Sequence, residues 1–357
     1  MIEYLLRLYF IPKIGLVRRA KLVKIFPDIR ELFESPISVI KSKIPFLSEN
    51  FIKYVRNYNC YQLVKKQIKE IEKNNIGVIS YYSKDYPEKL KNIPLSPIIL
   101  FFKGKFPDFS KTVAIIGSRK PIHYSRVMTE VITRKLVKDY NLPVISGLAY
   151  GIDAYAHKVC IENKGIAVGI LAFGFDTFYP RSNEKLAQNI LENGGCLITE
   201  YPFYYSITKN NFIERNRIIA ALCDVLIIIQ AAKKSGTLKT AYFANEYGKD
   251  ICVVPYRIDS PLFKGSHYLI QQGAYLLDDT SLIGELLNMK DVKEDKTVKN
   301  LTETEKIIVS LIKEGKNTYE ELLEFCDFDF ATLSEIIVNL EIKGIISSDF
   351  SGNFILK

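Results

Sequence analysis

Hydrophobic positions change their rhythm twice along the chain. Through about residue 75 they recur at helical spacing in short stretches, as in Ala20, Leu22, Val23, Ile25 and Phe26, which predicts a set of small helices. From Ile76 to Gly104 they gather in two short runs, Val78–Tyr82 and Ile98–Phe102, parted by Tyr86-Pro87 and Pro94. These predict strands that extend a larger sheet. From Val113 onward short apolar runs alternate with helix-length segments, at residues 113–116, 144–145, 166–173, 196–199, 225–229 and 251–254. A strand that is apolar at every position, not at every second one, is covered on both faces. The alternation therefore predicts an α/β fold, a Rossmann-like, doubly wound, mostly parallel sheet with helices on either side.

Beyond a charged, apolar-poor stretch the helical spacing returns, over Glu303–Ile312, Tyr319–Phe325 and Ala331–Ile342. Ile345–Leu356 then reads as a hairpin turning at Ser351-Gly352-Asn353. Three helices and a hairpin predict a winged helix. The expected division is a helical SAM-like or helix-hairpin-helix domain over 1–75, an extended Rossmann-like domain over 76–290, a linker over 291–300, and a C-terminal winged-helix domain over 301–357.

Composition narrows the class. A chain of 357 residues exceeds what one core usually serves, and 48% hydrophobic with 25% charged residues is ordinary globular material. No apolar run approaches the roughly 20 residues of a membrane span. Glu3 and Arg7 stand where a signal peptide keeps its apolar core, so a soluble cytoplasmic protein with no membrane association is expected. The six cysteines are scattered without a Cys-x-x-Cys, which reads as buried, reduced thiols, and with three histidines they compose no metal site.

Charge points to a partner. The net +9 is the sum of +10 over residues 1–110, +5 over 111–290, zero over 291–300 and −6 over 301–357. A basic body suits a polyanion such as nucleic acid, and a lysine-rich solvated surface is the plainer alternative. Near the start, Ile11-Pro12-Lys13-Ile14-Gly15 followed by Arg18, Arg19, Lys21 and Lys24 has the form of a hairpin turn whose amides meet a phosphate; a helical domain without a ligand reads equally well. In the last domain Asp327, Asp329, Glu335 and Glu341 would repel phosphates, which favours a protein contact there over DNA reading.

In a sheet of the predicted kind, ligands sit beyond the carboxyl ends of the strands. The loops there are Gly117-Ser118-Arg119, Ser146 to Asp153, Gly174 to Arg181, Phe212 to Arg217 and Lys233 to Thr237. Gly117 and Ser118 offer an amide and a hydroxyl, and Arg119 a planar cation with two parallel donors. In the last loop Ser235 or Thr237 can cap a helix, Gly236 removes a crowding side chain, and Lys233, Lys234 and Lys239 add charge where the helix dipole favours an anion. Neither Gly-x-Gly-x-x-Gly after the first Rossmann strand nor Gly-x-x-x-x-Gly-Lys-[Ser/Thr] occurs, which disfavours the usual dinucleotide and triphosphate sites and calls for no cofactor. Asp153 and His157, four apart on one helix face, read as a structural hydrogen bond before an acid/base pair.

Taken together, these pieces resemble the DNA-processing protein A family, DprA or Smf. They are Tyr86-Pro87 with Lys103-Gly104, Ile115 to Arg119, Ser146 to Asp153 with Ala156-His157, Tyr179-Pro180, Glu200, Phe212 with Arg215 to Ala220, Ser235-Gly236-Thr237 with Thr240-Ala241, and Val254-Pro255, in family order over about residues 80–290. The chain departs from the pattern at Gln230, Tyr256 and His267. The resemblance implies a homodimer that is not an enzyme, binds single-stranded DNA, displaces single-strand-binding protein and helps load the RecA recombinase during natural transformation. It also implies that Gly117, Ser118, Arg119, Ser146, Gly147, Arg215, Asn216, Arg217, Lys233, Lys234, Ser235, Gly236, Thr237 and Lys239 line the DNA pocket, with no catalytic or metal-binding residue. Tyr150, Tyr179, Phe212 and Tyr242 are then candidates to stack on bases, or else core. The rival is a Rossmann-like nucleotide hydrolase of the lysine-decarboxylase-like class, with Glu200 or Asp153 catalytic, although its Pro-Gly-Gly-x-Gly-Thr loop is replaced here by Lys233-Lys234-Ser235-Gly236-Thr237. A plain scaffold, with neither binding nor turnover, is the third reading.

Overall fold

A computed structural model describes residues 1–289, 301–343, 345–348 and 353–356. The expected linker and the Ser351-Gly352 turn lie outside the described residues. The chain divides into two compact units, Met1–Met289 and Lys290–Lys357.

The first unit opens with six helices, α1 (Ile2–Phe10), α2 (Leu16–Ile25), α3 (Arg30–Glu34), α4 (Ile37–Lys43), α5 (Glu49–Asn57) and α6 (Tyr61–Lys73). There follow β1 (Gly77–Ser80), α7 (Glu88–Lys91), β2 (Ile99–Gly104), β3 (Val113–Ile116), α8 (His123–Lys138), β4 (Val144–Ser146), α9 (Ile152–Glu162), β5 (Ala167–Ile170) and α10 (Glu184–Glu192). The unit closes with β6 (Cys196–Thr199), α11 (Lys209–Leu222), β7 (Val225–Ile228), α12 (Thr237–Glu246), β8 (Asp250–Val253), α13 (Lys264–Gln271), β9 (Tyr275–Leu276) and α14 (Ser281–Leu286).

The nine strands form one sheet in the order β1-β2-β6-β5-β4-β3-β7-β8-β9. From β6 through β9 every pairing is parallel; β2 is antiparallel to both β6 and β1. The fold is thus Rossmann-like α/β, mostly parallel, with the expected N-terminal helices. Its strands are apolar at every position because both faces are covered. In β3, Val113 and Ile115 enter one core with α8, α9 and α14, while Ala114 and Ile116 enter the other with α11 and α12.

From β3 the chain winds one way through β4, β5 and β6 and returns to start the other way with β7 and β8. The crevice between the ends of β3 and β7 is the switch point where such sheets hold ligands.

The helices over 2–73 are not set apart from the sheet. Their core takes in Ile98, Ile99, Phe101 and Phe203, and Gln67 of α6 both donates to the Phe203 carbonyl and accepts from its amide, each at 2.9 Å.

The second unit holds α15 (Glu303–Lys313), α16 (Tyr319–Phe325), α17 (Phe330–Ile342) and an antiparallel pair, β10 (Ile346–Ser348) and β11 (Phe354–Leu356). Thr302 and Thr318 each begin a helix with a reciprocal capping box, to Glu305 and Glu321.

Candidate nucleic-acid interface

The loops after β3 and β7 are stitched together by Thr237, whose hydroxyl donates to the Gly117 carbonyl at 3.3 Å. Thr237 itself begins α12. Gly236 is its N-cap and makes no side-chain cap, while the Ser235 hydroxyl accepts from the Thr237 amide at 3.2 Å. Nothing lies within 4 Å of where a Gly236 side chain would start, so the approach to this helix end is open. On the other side of the crevice, Ser118 Oγ accepts from the Lys120 amide and the Ser118 carbonyl accepts from Ile152, the first residue of α9. Gly151 has φ +79°, and a Cβ there would meet the Ser118 carbonyl oxygen at 2.3 Å, so only glycine lets these two loops touch.

Beneath this surface lies a buried layer. Ser146 is fully buried and donates to the Ile115 carbonyl at 2.6 Å. Gly147 is wedged between two charged groups, and a Cβ on it would come within 2.5 Å of Arg215 Nη2 and 2.8 Å of Asp153 Oδ2. Arg215 donates to the carbonyls of Gly147, at 2.7 Å, and Ile170. Asp153 accepts from the amides of Gly147 and Ala149. Burial raises the Asp153 carboxyl above its usual range against the pull of Arg215, and lowers the Arg215 guanidinium to about 10 against the pull of Asp153. Arg215 therefore stays charged at neutral pH, yet only 4% of its surface is exposed. It braces the loop from below. Asp153 and His157 do not bond to each other; His157 Nε2 faces the Val168 carbonyl at 3.2 Å.

What remains exposed is a set of cations. Arg119, Lys120, Lys233, Lys234 and Lys239 are all exposed, and among the described residues none of their side chains makes a hydrogen bond or an ion pair. Lys120 was not singled out by sequence, although it directly follows Arg119. Arg181, at the end of the expected Gly174 to Arg181 loop, is exposed, and its turn adjoins the Ser146–Gly151 loop, because Asn183 donates to the Leu148 and Ala149 carbonyls. Asn216 is half-buried and accepts from Arg215 Nε. Tyr150, Tyr179 and Tyr242 are 45%, 48% and 59% exposed, which makes them available faces, whereas Phe212 packs against Tyr179 and the core. A groove of about 830 Å³ continues from Lys233, Lys234 and Lys239 past Tyr242 to Lys249 and Tyr268.

Arg217 does not join this surface. Its side chain is fully buried, with Nη2 donating to both oxygens of Glu200 at 2.6 and 2.5 Å. Helical geometry explains the difference from Arg215: two residues apart, the side chains point in directions about 200° apart around α11. Among the N-terminal cations, Arg19 turns inward over the Tyr9 ring at 4.1 Å, Lys24 donates to the Ile93 carbonyl, and Arg18 donates to the Lys13 carbonyl. The turn there does not present them as a row.

The family pattern's departures are accommodated. Gln230 Oε1 accepts from the Ile122 amide and the Ser125 hydroxyl, Tyr256 stacks on Phe263, and His267 Nε2 faces the Tyr256 carbonyl at 3.0 Å.

A family model for DNA recombination-mediator protein A matches residues 77–288. The chain belongs to that family. It is 34% identical over 235 residues to the DNA processing protein DprA of Bacillus subtilis, an alignment covering 65% of this chain and 78% of the relative. To protein Smf of Escherichia coli it is 34% identical over 218 residues, covering 61% of this chain but only 58% of that protein. The DNA processing protein A of Streptococcus pneumoniae superposes with a TM-score of 0.63 at 27% identity, over 75% of this chain and 97% of that one. A Helicobacter pylori family member, described for its unique single-stranded DNA binding mode, gives 0.54 at 29% identity, over 60% and 96%.

Proposed function

We propose that this chain binds single-stranded DNA along the crevice between the ends of β3 and β7, and acts as a recombination mediator that helps load a RecA-type recombinase onto incoming DNA. The observation that carries this reading is the set of exposed cations, Arg119, Lys120, Lys233, Lys234 and Lys239, on two loops that Thr237 ties together. Such a set neutralises several phosphates and ignores sequence, while Tyr150, Tyr179 and Tyr242 offer flat faces to bases. The Helicobacter family member, with its single-stranded DNA binding mode, supports the same partner class. Displacement of single-strand-binding protein, a homodimer, a cytoplasmic location and a part in natural transformation belong to the proposal, as does a winged helix over 301–357 that contacts protein.

The rival hydrolase needs a free carboxylate. Glu200 is 2% exposed and Asp153 7%, each engaged in holding other groups, so neither is placed to meet a nucleotide. Among the described residues, no helix is long and apolar enough to cross a membrane.

Fluorescence anisotropy with a labelled single strand and the matching duplex, at two salt concentrations, tests the reading. The single strand is expected to bind more tightly and to weaken steeply with salt. Equal binding of both, or release of free base from nucleoside monophosphates, would refute it.

A further inference from the structure

A second concave surface lies away from the strand ends. The helices α1, α5 and α6 enclose a cleft of about 620 Å³ whose wall carries Arg7, Arg56, Lys65 and Lys69, with Glu3 as its one carboxylate. Residues 1–75 as a whole carry a net charge of +8.

The two arginines are fixed by neutral acceptors. Arg7 donates to the Arg56 carbonyl at 2.9 Å and lies 4.1 Å over the Phe33 ring, while Arg56 donates to the carbonyls of Leu32, at 3.0 Å, and Ser35. Carbonyls orient a guanidinium without cancelling its charge. Among the described residues no ion pair involves Arg7, Arg56, Lys65 or Lys69. Two anchored cations and two exposed ones thus face one space.

Aromatic rings line the same space. Tyr58 and Tyr61 belong to the wall, Tyr61 is 64% exposed, and Lys65 Nζ sits 5.8 Å from its ring. A small inorganic anion needs no ring, and an acidic peptide offers a flat partner only where it carries an aromatic side chain. Alternating phosphates and bases use both.

One helix, α6, both lines the cleft and packs on the segment after β6. The inner side of this helix holds Phe203 through Gln67, and its flank holds Tyr204, with Lys66 at 3.8 Å over the ring and Glu70 accepting from the hydroxyl. Phe203 and Tyr204 belong to the segment that leaves the carboxyl end of β6, the edge that carries the crevice.

We propose that the cleft between α1, α5 and α6 is a second contact for single-stranded nucleic acid. It takes a short run of nucleotides through phosphate contacts with Arg7, Arg56, Lys65 and Lys69 and stacking on Tyr61. This rests on the strand-end reading and adds a site to it. A strand long enough to engage both sites gains by effective concentration, and a short one does not.

The test uses the full chain and labelled oligothymidylates of about 6 and about 20 nucleotides, lengths within the reach of one and of several contact sites. The Lys65→Glu/Lys69→Glu variant changes only exposed side chains. It is expected to bind the longer strand about tenfold more weakly, with the salt slope lowered by about 1.4, and to bind the shorter one as before. Tyr61→Ala is expected to weaken the longer strand by about tenfold with the salt slope unchanged. If both variants hold the longer strand as tightly as the parent, the inference is overturned and the cleft serves another partner, such as an acidic protein. If the parent binds neither length, the strand-end reading fails and this one with it. Arg119→Ala, expected to weaken both lengths, keeps the two sites distinguishable.

Discussion

Arg119 and Arg217 were both expected in loops at the carboxyl edge of the sheet, but Arg217 lies inside the helix α11, and their surroundings give them opposite work. Arg119 emerges after β3 into solvent with no partner among the described residues, over a loop that Gly151 and Thr237 hold still. Arg217 is wholly enclosed beside Glu200, in a cluster that includes Tyr9, Tyr86 and Tyr201. A phosphate can replace water around the first. It cannot reach the second without opening the core. Charge near a site is therefore no measure of contact, and Arg215 lies between the extremes, buried but aimed at the loop it braces.

The largest expected effect breaks the buried side of this comparison. Arg217→Ala leaves the Glu200 carboxylate enclosed without its partner, and should cost about 3–5 kcal/mol of stability, seen as a lower denaturant midpoint. Replacing the pair together, Arg217→Met with Glu200→Leu, should recover much of that loss, because an apolar pair needs no charge compensation. A single variant that melts like the parent would place the pair outside the core.

Acid should act through another enclosed group. Burial pushes the His157 imidazole down from 6.5 to about 4, so it stays neutral in the fold while the unfolded chain takes up a proton. Its contribution is complete above about pH 6.5 and is lost as pH falls towards 4, by about 3 kcal/mol. His157→Gln should flatten that part of the stability profile in urea melts; an unchanged profile would contradict the assignment.

A smaller cost is expected from Gly147→Ala. The added methyl meets Arg215 Nη2 at 2.5 Å and Asp153 Oδ2 at 2.8 Å, which should lower stability by about 1–3 kcal/mol and weaken binding through the displaced loop. Smallest of all, Lys239→Ala should leave the melting temperature unchanged and reduce the salt slope of single-strand binding by about 0.7, the share of one phosphate contact.

Much of the architecture was legible because buried parallel strands are continuous apolar runs. Val113–Ile116 and Cys196–Thr199 are strands over the residues predicted. The run at 166–173 outlasts its strand, since Leu171, Ala172 and Phe173 stay in the core after the ladder ends at Ile170. Tyr275–Leu276 was not legible at all: two exposed residues on a sheet edge leave no pattern. The joining of the helices over 2–73 to the sheet was equally hidden, because Gln67 meets Phe203 across 136 positions of sequence. At the site, the loops and the exposed cations were readable from glycine and lysine placement. The fates of Arg215 and Arg217 were not, since Arg217 meets Glu200 and Arg215 sits beside Asp153, carboxylates brought close only by the fold.

The central claim is that the exposed arginine, and not the buried one, touches DNA. It is tested most directly by anisotropy titration of Arg119→Ala with a single-stranded oligonucleotide at two salt concentrations, with its melting temperature measured alongside. The account predicts at least about tenfold weaker binding, a salt slope lowered by about 0.7, and unchanged melting. Binding as tight as the parent's would contradict it.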